Sequence, residues 1–379
     1  MPFSYPGLSA GLCRAADELG YKELSPIQAE SIPVIFEGKD LAAASQTGSG
    51  KTAAFLFPIL HCLSEKKQVK KSALKVLILV PTRELAVQVA DNAKILSRYL
   101  PRVIRITAVH GGVSINPQMK SLIAGTDILV ATPGRLVELV FKKAVNLVSV
   151  ETLVIDEADK MLDLGFKEEI GTIIGMLPAK RQNLLFSATL KRSVELPEMD
   201  FIVNAVKIGI GADEKPPEPV EQIVYKVAQD KKGLLLRHLI NDGEWSRVLV
   251  FVSSKRKADN VTRKLSVNNI SAELLHGDKS QGARTGALIR FKQGKTRVLV
   301  ATDIASRGID IDLLPYVVNY ELPRSAGEYI HRVGRTGRAG MKGIAVTLLS
   351  EEDYPLMKLI EKRYGIKPVY IDSDEIRLS

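Results

Sequence analysis

Two successive α/β domains, each a parallel β-sheet flanked by helices, are predicted from three features of the chain. Short apolar runs recur, each ending in small, polar or glycine residues; stretches with helical apolar spacing separate them; and the pattern appears twice, on either side of one Gly- and Pro-rich segment. Strands buried on both faces read as continuous apolar runs. That is the grammar of a parallel sheet, which presents its ligand groups at the carboxyl ends of the strands.

In chain order, the first half carries such runs at 76–81, 127–134, 153–156 and 184–189. The second half repeats them at 247–252, 272–276, 297–302, 317–320 and 344–349. Between the halves, residues 209–220 read Gly-Ile-Gly-Ala-Asp-Glu-Lys-Pro-Pro-Glu-Pro-Val, where Gly and Pro prevent regular structure and charge keeps the segment wet. The expected organisation is a first domain at 1–208, a linker at 209–220 and a second domain at 221–379. A second polar stretch, Ser-Glu-Lys-Lys-Gln-Val-Lys-Lys-Ser at 64–72, reads either as a solvated loop or as lysines available to nucleic acid. The mixed-charge end, 372–379, shows no Arg-rich, Gly-rich or Cys/His recognition pattern.

A length of 379 residues exceeds one ordinary core, and 45% hydrophobic residues suffice to fold all of it, so composition agrees with two domains. The formal net charge of +10 favours an anionic partner such as nucleic acid without establishing one. Cys13 and Cys62 lack the C-x-x-C spacing of a metal or redox site, which fits a reducing cytoplasmic setting. No apolar run reaches the roughly 18 residues of a membrane span, and no basic-then-apolar leader opens the chain, so a soluble, unexported protein is expected.

The chemistry concentrates at two motifs. Residues 154–159 read Val-Ile-Asp-Glu-Ala-Asp, placing Asp156 and Glu157 side by side at a strand end, where one carboxylate can hold Mg²⁺ and the other can orient and deprotonate water. Taken alone they could also be two solvated acids at a helix start. Upstream, Ser45, Gln46, Thr47, Gly48, Ser49, Gly50, Lys51 and Thr52 form a phosphate-cradling turn. Lys51 supplies a point charge for the β- and γ-phosphates, and Thr52 a hydroxyl for the metal. Ser45 stands where the usual pattern has its first Gly, which leaves Gly48 and Gly50 as the backbone-permissive positions. Each motif makes the other meaningful, and together they read as an ATPase.

With Gln28 ahead and His-Arg-Val-Gly-Arg-Thr-Gly-Arg at 331–338 behind, the set resembles the DEAD-box family of ATP-dependent RNA helicases. The resemblance implies two RecA-like domains and ATP with Mg²⁺ as cofactors. It also implies that Tyr21, with Phe3 further upstream, and Gln28 read adenine, by a stacking face and by an amide that both donates and accepts. From the pattern alone those residues would be an ordinary amphipathic helix and turn. Arg335 and Arg338 would serve as arginine fingers on the γ-phosphate, a task that suits a permanently charged, bidentate guanidinium; a basic helix start is the plainer reading. The same likeness places Asp310 near the ribose. It gives Asp159, Ser187, Thr189 and His331 the task of coupling hydrolysis to strand separation.

The remaining matches concern RNA. They contain Thr82 and Arg83, Gly111 and Gly112, Thr132, Gly134 and Arg135, Arg284, and Thr302 with Asp303. Hydroxyls, arginines and glycines without interleaved aromatics imply contact with the sugar-phosphate backbone, hence sequence-tolerant binding of single-stranded and duplex RNA. Residues 275–285 further resemble the bacterial RhlE-type group, often linked to ribosomal RNA. The family implies a monomer that closes on ATP-Mg²⁺ and one RNA strand to unwind duplexes locally or remodel RNA-protein complexes. Two rivals remain: an ATP-gated RNA clamp with little unwinding, and a DNA translocase.

Overall fold

A computed structural model describes residues 5, 7–45, 49–67, 73–187, 204–209, 220–303, 314–337 and 343–376. The chain forms two compact units, Met1–Ala212 and Asp213–Ser379. Each contains one parallel seven-stranded sheet. In the first, β1 (Leu41–Ala44), β2 (Val76–Leu79), β3 (Ile106–Val109), β4 (Ile128–Ala131), β5 (Thr152–Asp156), β6 (Gln182–Ser187) and β7 (Val206–Ile208) lie in the order β3-β4-β2-β5-β6-β1-β7. In the second, β8 (Val220–Lys226), β9 (Val248–Val252), β10 (Ala272–Leu275), β11 (Val298–Thr302), β12 (Tyr316–Asn319), β13 (Gly343–Leu349) and β14 (Val369–Asp372) lie in the order β10-β11-β9-β12-β13-β8-β14.

The continuous apolar runs are explained by the two-residue period of a strand covered on both faces. On the first sheet, Leu41, Ala43, Val76, Ile78, Val154 and Phe186 point into one core with the helices Pro26–Phe36, Lys51–Ser64 and Arg83–Leu96. Their neighbours Ala42, Leu77, Leu79, Leu153, Ile155 and Leu185 point into the opposite core with Pro133–Phe141 and Lys167–Met176. The second sheet divides likewise: Val248, Val250 and Val252 face one cluster, Leu249 and Phe251 another. All of these strand residues are buried, so a polar substitution at any of them would strand an unsatisfied group in a dry layer.

Strands β1, β3, β7, β8 and β14 add to those read from the sequence. All five lie at or next to a sheet edge, and in β8 burial is partial and the apolar run is broken by charge, as Val-Glu-Gln-Ile-Val-Tyr-Lys shows. The register levels the carboxyl ends of neighbouring strands. Ala44 pairs with Ser187, Asp156 with Phe186, Leu79 with Ala131, and Ala131 with Val109.

Candidate active site

That levelling assembles the first unit's motifs on one rim. The loop after β1, the end of β6 and the end of β5 are adjacent, and the Ser45 N–H donates to the Ser187 carbonyl at 3.0 Å. Gly50, at φ +94°, opens the helix Lys51–Ser64. A Cβ there would lie 2.3 Å from Nε2 of Gln28, so both the left-handed backbone and the crowding demand glycine. Gln46, Thr47 and Gly48 lie outside the described residues, as do Phe3, Thr189, Asp310 and Arg338.

Gln28 is buried, and its amide is engaged on both sides: Oε1 accepts from the Ser25 N–H at 3.0 Å, and Nε2 donates to the Gly50 carbonyl at 3.0 Å. Ser25 Oγ donates to the Ser49 carbonyl at 2.7 Å. The turn before the helix Pro26–Phe36 is thereby tied to the phosphate loop. Tyr21 packs edge-on against Phe57 with ring centroids 5.5 Å apart, and burial raises its hydroxyl pKa. It lines a hollow of about 280 Å³ shared with Leu19, Thr52, Leu56, Asn92 and Leu96.

Lys51 is buried, and its ammonium donates to the Ser45 carbonyl at 2.5 Å. Burial lowers its pKa, while the charges of Asp156 and Glu157 act in the opposite direction. Asp156 is 2% exposed. Burial, and after it the charge of Glu157, pushes its carboxyl up to about 7 against the pull of Lys51 and Lys160. Glu157 caps the helix Ala158–Asp163 with a left-handed backbone, φ +55° and ψ +46°. For a non-glycine residue this is strain of about 1–3 kcal/mol, held in place here by the fully buried Ala158 and Met161 that follow. Asp159 is buried as well.

Among the described residues, Asp156 Oδ1 is buried and has no hydrogen-bond partner, which marks a carboxylate oxygen suited to a cation. No group of three or more His, Cys, Asp or Glu among those residues could hold a metal unaided. Both facts fit Mg²⁺, which binds one or two protein groups and completes its shell with water and phosphate oxygens. Asp156 offers that oxygen, and Thr52, the hydroxyl expected from the sequence, is half-buried.

The other half of the same rim carries the residues read as RNA contacts. Thr82 caps the helix Arg83–Leu96, with Oγ1 accepting from the Leu85 N–H at 3.3 Å. Thr132 Oγ1 accepts from the Gly111 N–H at 3.3 Å. Gly112 has φ +75°, and a Cβ there would fall 1.9 Å from Arg83 Nη1, so Arg83 lies directly against it. Arg135 is buried; Nη2 donates to the Val113 carbonyl and Nε to Glu138, both at 2.9 Å, while Nη1 has no partner among the described residues. Around Gly134, space is open for a close approach.

In the second unit, Arg284 is buried on the helix Gln281–Lys292, and Thr302 ends β11. His331 sits near the end of the helix Ala326–Val333, and Arg335 lies buried just beyond it. Arg332, unassigned from the sequence, is the organiser here. It is 2% exposed, grips Asp303 with Nε and Nη2 at 2.6 and 2.7 Å, and reaches Asn319 Oδ1 and the Glu321 carbonyl at 3.0 and 2.6 Å. It locks the strand end carrying Thr302 to the segment carrying His331 and Arg335. Its place inside an arginine-rich motif was the available signal.

Residues 25–196 match the family model for DEAD/DEAH box helicases, and residues 230–340 match that for the helicase conserved C-terminal domain. The ATP-dependent RNA helicase CshA of Listeria monocytogenes is 39% identical over 360 residues, covering 95% of this chain and 68% of that protein. A Streptococcus pneumoniae DEAD-box ATP-dependent RNA helicase CshA is 39% identical over 377 residues, covering 98% and 71%. The structure of S. cerevisiae Dbp5 bound to RNA and ADP BeF3 superposes with a TM-score of 0.86 at 27% identity, covering 97% of this chain and 95% of that one. The two bacterial relatives bear the CshA name and lend the RhlE-type likeness of 275–285 no support.

Proposed function

The chain belongs to the DEAD-box family of ATP-dependent RNA helicases, and from that premise we propose which of its residues carry the reaction. It hydrolyses ATP in an RNA-dependent manner and couples hydrolysis to local separation of RNA strands. The observation that supports the assignment best is the level rim of β1, β6 and β5, which gathers Lys51, Asp156 and Glu157 around the phosphate loop. Lys51 binds the β- and γ-phosphates. Asp156 and Thr52 hold Mg²⁺, which when bound neutralises phosphate charge. Glu157 takes the proton from the water that attacks the γ-phosphorus as the bond to ADP breaks. Tyr21 and Gln28 receive adenine and Asp310 the ribose, while Arg335 and Arg338 stabilise charge developing on the γ-phosphate. Asp159, Ser187, Thr189 and His331 couple turnover to RNA.

Thr82, Arg83, Gly112, Thr132, Gly134, Arg135, Arg284 and Thr302 hold the RNA backbone, a reading supported by Arg135 Nη1, a donor without a partner among the described residues. We further propose work as a monomer in the cytoplasm, on ribosomal RNA or ribonucleoprotein. No helix among the described residues is long and apolar enough to cross a membrane.

Glu157→Gln tests the central assignment. ATP and RNA should still bind while single-turnover hydrolysis falls by about 10²–10⁴-fold, the usual contribution of a positioned base. Hydrolysis near the parental rate would remove Glu157 from that role.

A further inference from the structure

Lys160 belongs to none of the sets above, yet it lies inside the first of them. It is 5% exposed, and its Nζ donates to Glu157 Oε1 at 2.5 Å. Glu–Lys pairs three residues apart on a helix normally lie in solvent. This one is desolvated at both ends, with the two side chains 6% and 7% exposed. A buried ion pair is a poor stabilising device, since well-packed apolar side chains of similar volume commonly do as well or better. Geometry is the better account of its presence. Glu157 starts the helix from a strained left-handed backbone, and Lys160 sits one turn later on a segment anchored by fully buried Ala158 and Met161. The ammonium is therefore fixed to the same rigid element as the carboxylate it grips. Its charge also bears on Lys51 and Asp156, so it lies among the groups that receive the nucleotide.

We infer that Lys160 is a positioning residue for hydrolysis: it holds the Glu157 carboxylate in the orientation from which that group deprotonates the attacking water. The terminal torsion of a glutamate is broad and easily turned, and the contact with the Lys160 ammonium narrows the orientations that the carboxylate samples. This inference rests on Glu157 being the base.

The test uses the full chain with Mg-ATP and a polyuridine RNA. Lys160→Met should lower kcat about 10–100-fold, the scale of a reacting group misplaced by about 1 Å, with KM for ATP and RNA affinity little changed. Lys160→Arg, which can still donate to the carboxylate, should recover most of the rate. If Lys160 acts through Glu157, adding Lys160→Met to Glu157→Gln should slow hydrolysis no further than Glu157→Gln alone. Parental kcat in Lys160→Met, or a further loss of the same size in the Glu157→Gln background, overturns the inference. Should Lys160→Met fail to fold, Lys160→Leu, which likewise has no donor, takes its place: a rate reduced at least about tenfold supports the positioning role and a parental rate refutes it. An inactive Glu157→Gln beside a fully active Lys160 variant removes only Lys160. A fully active Glu157→Gln removes the base assignment itself.

Discussion

Replacing Asp156 with Asn should stabilise the nucleotide-free protein at alkaline pH while eliminating ATP hydrolysis. Asp156 is buried, and burial with the neighbouring charge of Glu157 raises its carboxyl from 3.8 to about 7. At 1.36 kcal/mol per pH unit, keeping the ionised form in the folded chain above pH 7 costs about 4 kcal/mol. The direction follows from proton binding. Between about pH 4 and pH 7 the folded protein binds this proton more tightly than the unfolded chain, so stability falls as pH rises through that window; below it the penalty is absent. Asn is neutral throughout, and its advantage should therefore grow over the same interval. Some of the ceiling is lost because an amide presents one acceptor and a donor where Asp has two acceptors. A net gain of about 2–3 kcal/mol at pH 8 is expected, or roughly 5–10 °C in Tm for a unit of this size. Thermal unfolding of parent and variant at pH 5.5 and pH 8, without nucleotide, measures it. Mg²⁺ with ADP should then narrow the gap by stabilising the parent more. A variant less stable than the parent at pH 8, or a difference independent of pH, would refute the electrostatic account of Asp156.

Gly112→Ala should reduce RNA affinity in the presence of a nonhydrolysable ATP analogue by about tenfold while ATP binding without RNA is retained, because the new methyl must displace Arg83 and strain a backbone at φ +75°. Unchanged affinity by fluorescence anisotropy would take the Arg83–Gly112 contact out of the RNA site. Arg135→Ala should weaken unstructured RNAs of equal length alike and flatten the salt dependence of binding, with matched DNA bound more weakly than RNA throughout. Losses that depend on base identity, or DNA stimulating hydrolysis as well as RNA, would contradict backbone recognition.

The central strands were legible because burial on both faces leaves only apolar residues, as in Val76–Leu79 and Val248–Val252. β1 was harder: Leu-Ala-Ala-Ala lacks β-branched residues, and only its place between β6 and β7 makes it a strand. β14 has exposed Val369 and stands at an edge, where local sequence is weakly constrained. In the site, residue type and spacing singled out Lys51, Asp156 and Glu157, and the fold buries all three. The bonds of Gln28 to Ser25 and Gly50 were half legible, since Ser25 followed by Gln28 is a capping pattern, whereas the reach to Gly50 is a tertiary contact. The Arg83 approach to Gly112 and the fourfold grip of Arg332 join residues distant in sequence and needed the fold. Lys160 drew no assignment from the sequence, because its burial against Glu157 shows only in the fold.

The parallel sheet of the first unit also divides the chain by how much change it tolerates. Apart from Tyr21 and Gln28, which precede β1, the assigned groups there lie at or follow strand ends at the carboxyl rim, where the register with neighbouring strands fixes position. The connections at 97–105 and 142–151 run the other way, from a helix end back to the amino rim, at the far end of the strands from the phosphate loop. Lengthening such a connection at an exposed point, Pro101 or Lys142, adds a loop-closure term that grows slowly with length and spares the buried Arg102, Ile104, Leu147 and Val150. One rim can therefore acquire new surface, new length and new contacts over evolutionary time while the opposite rim keeps its chemistry.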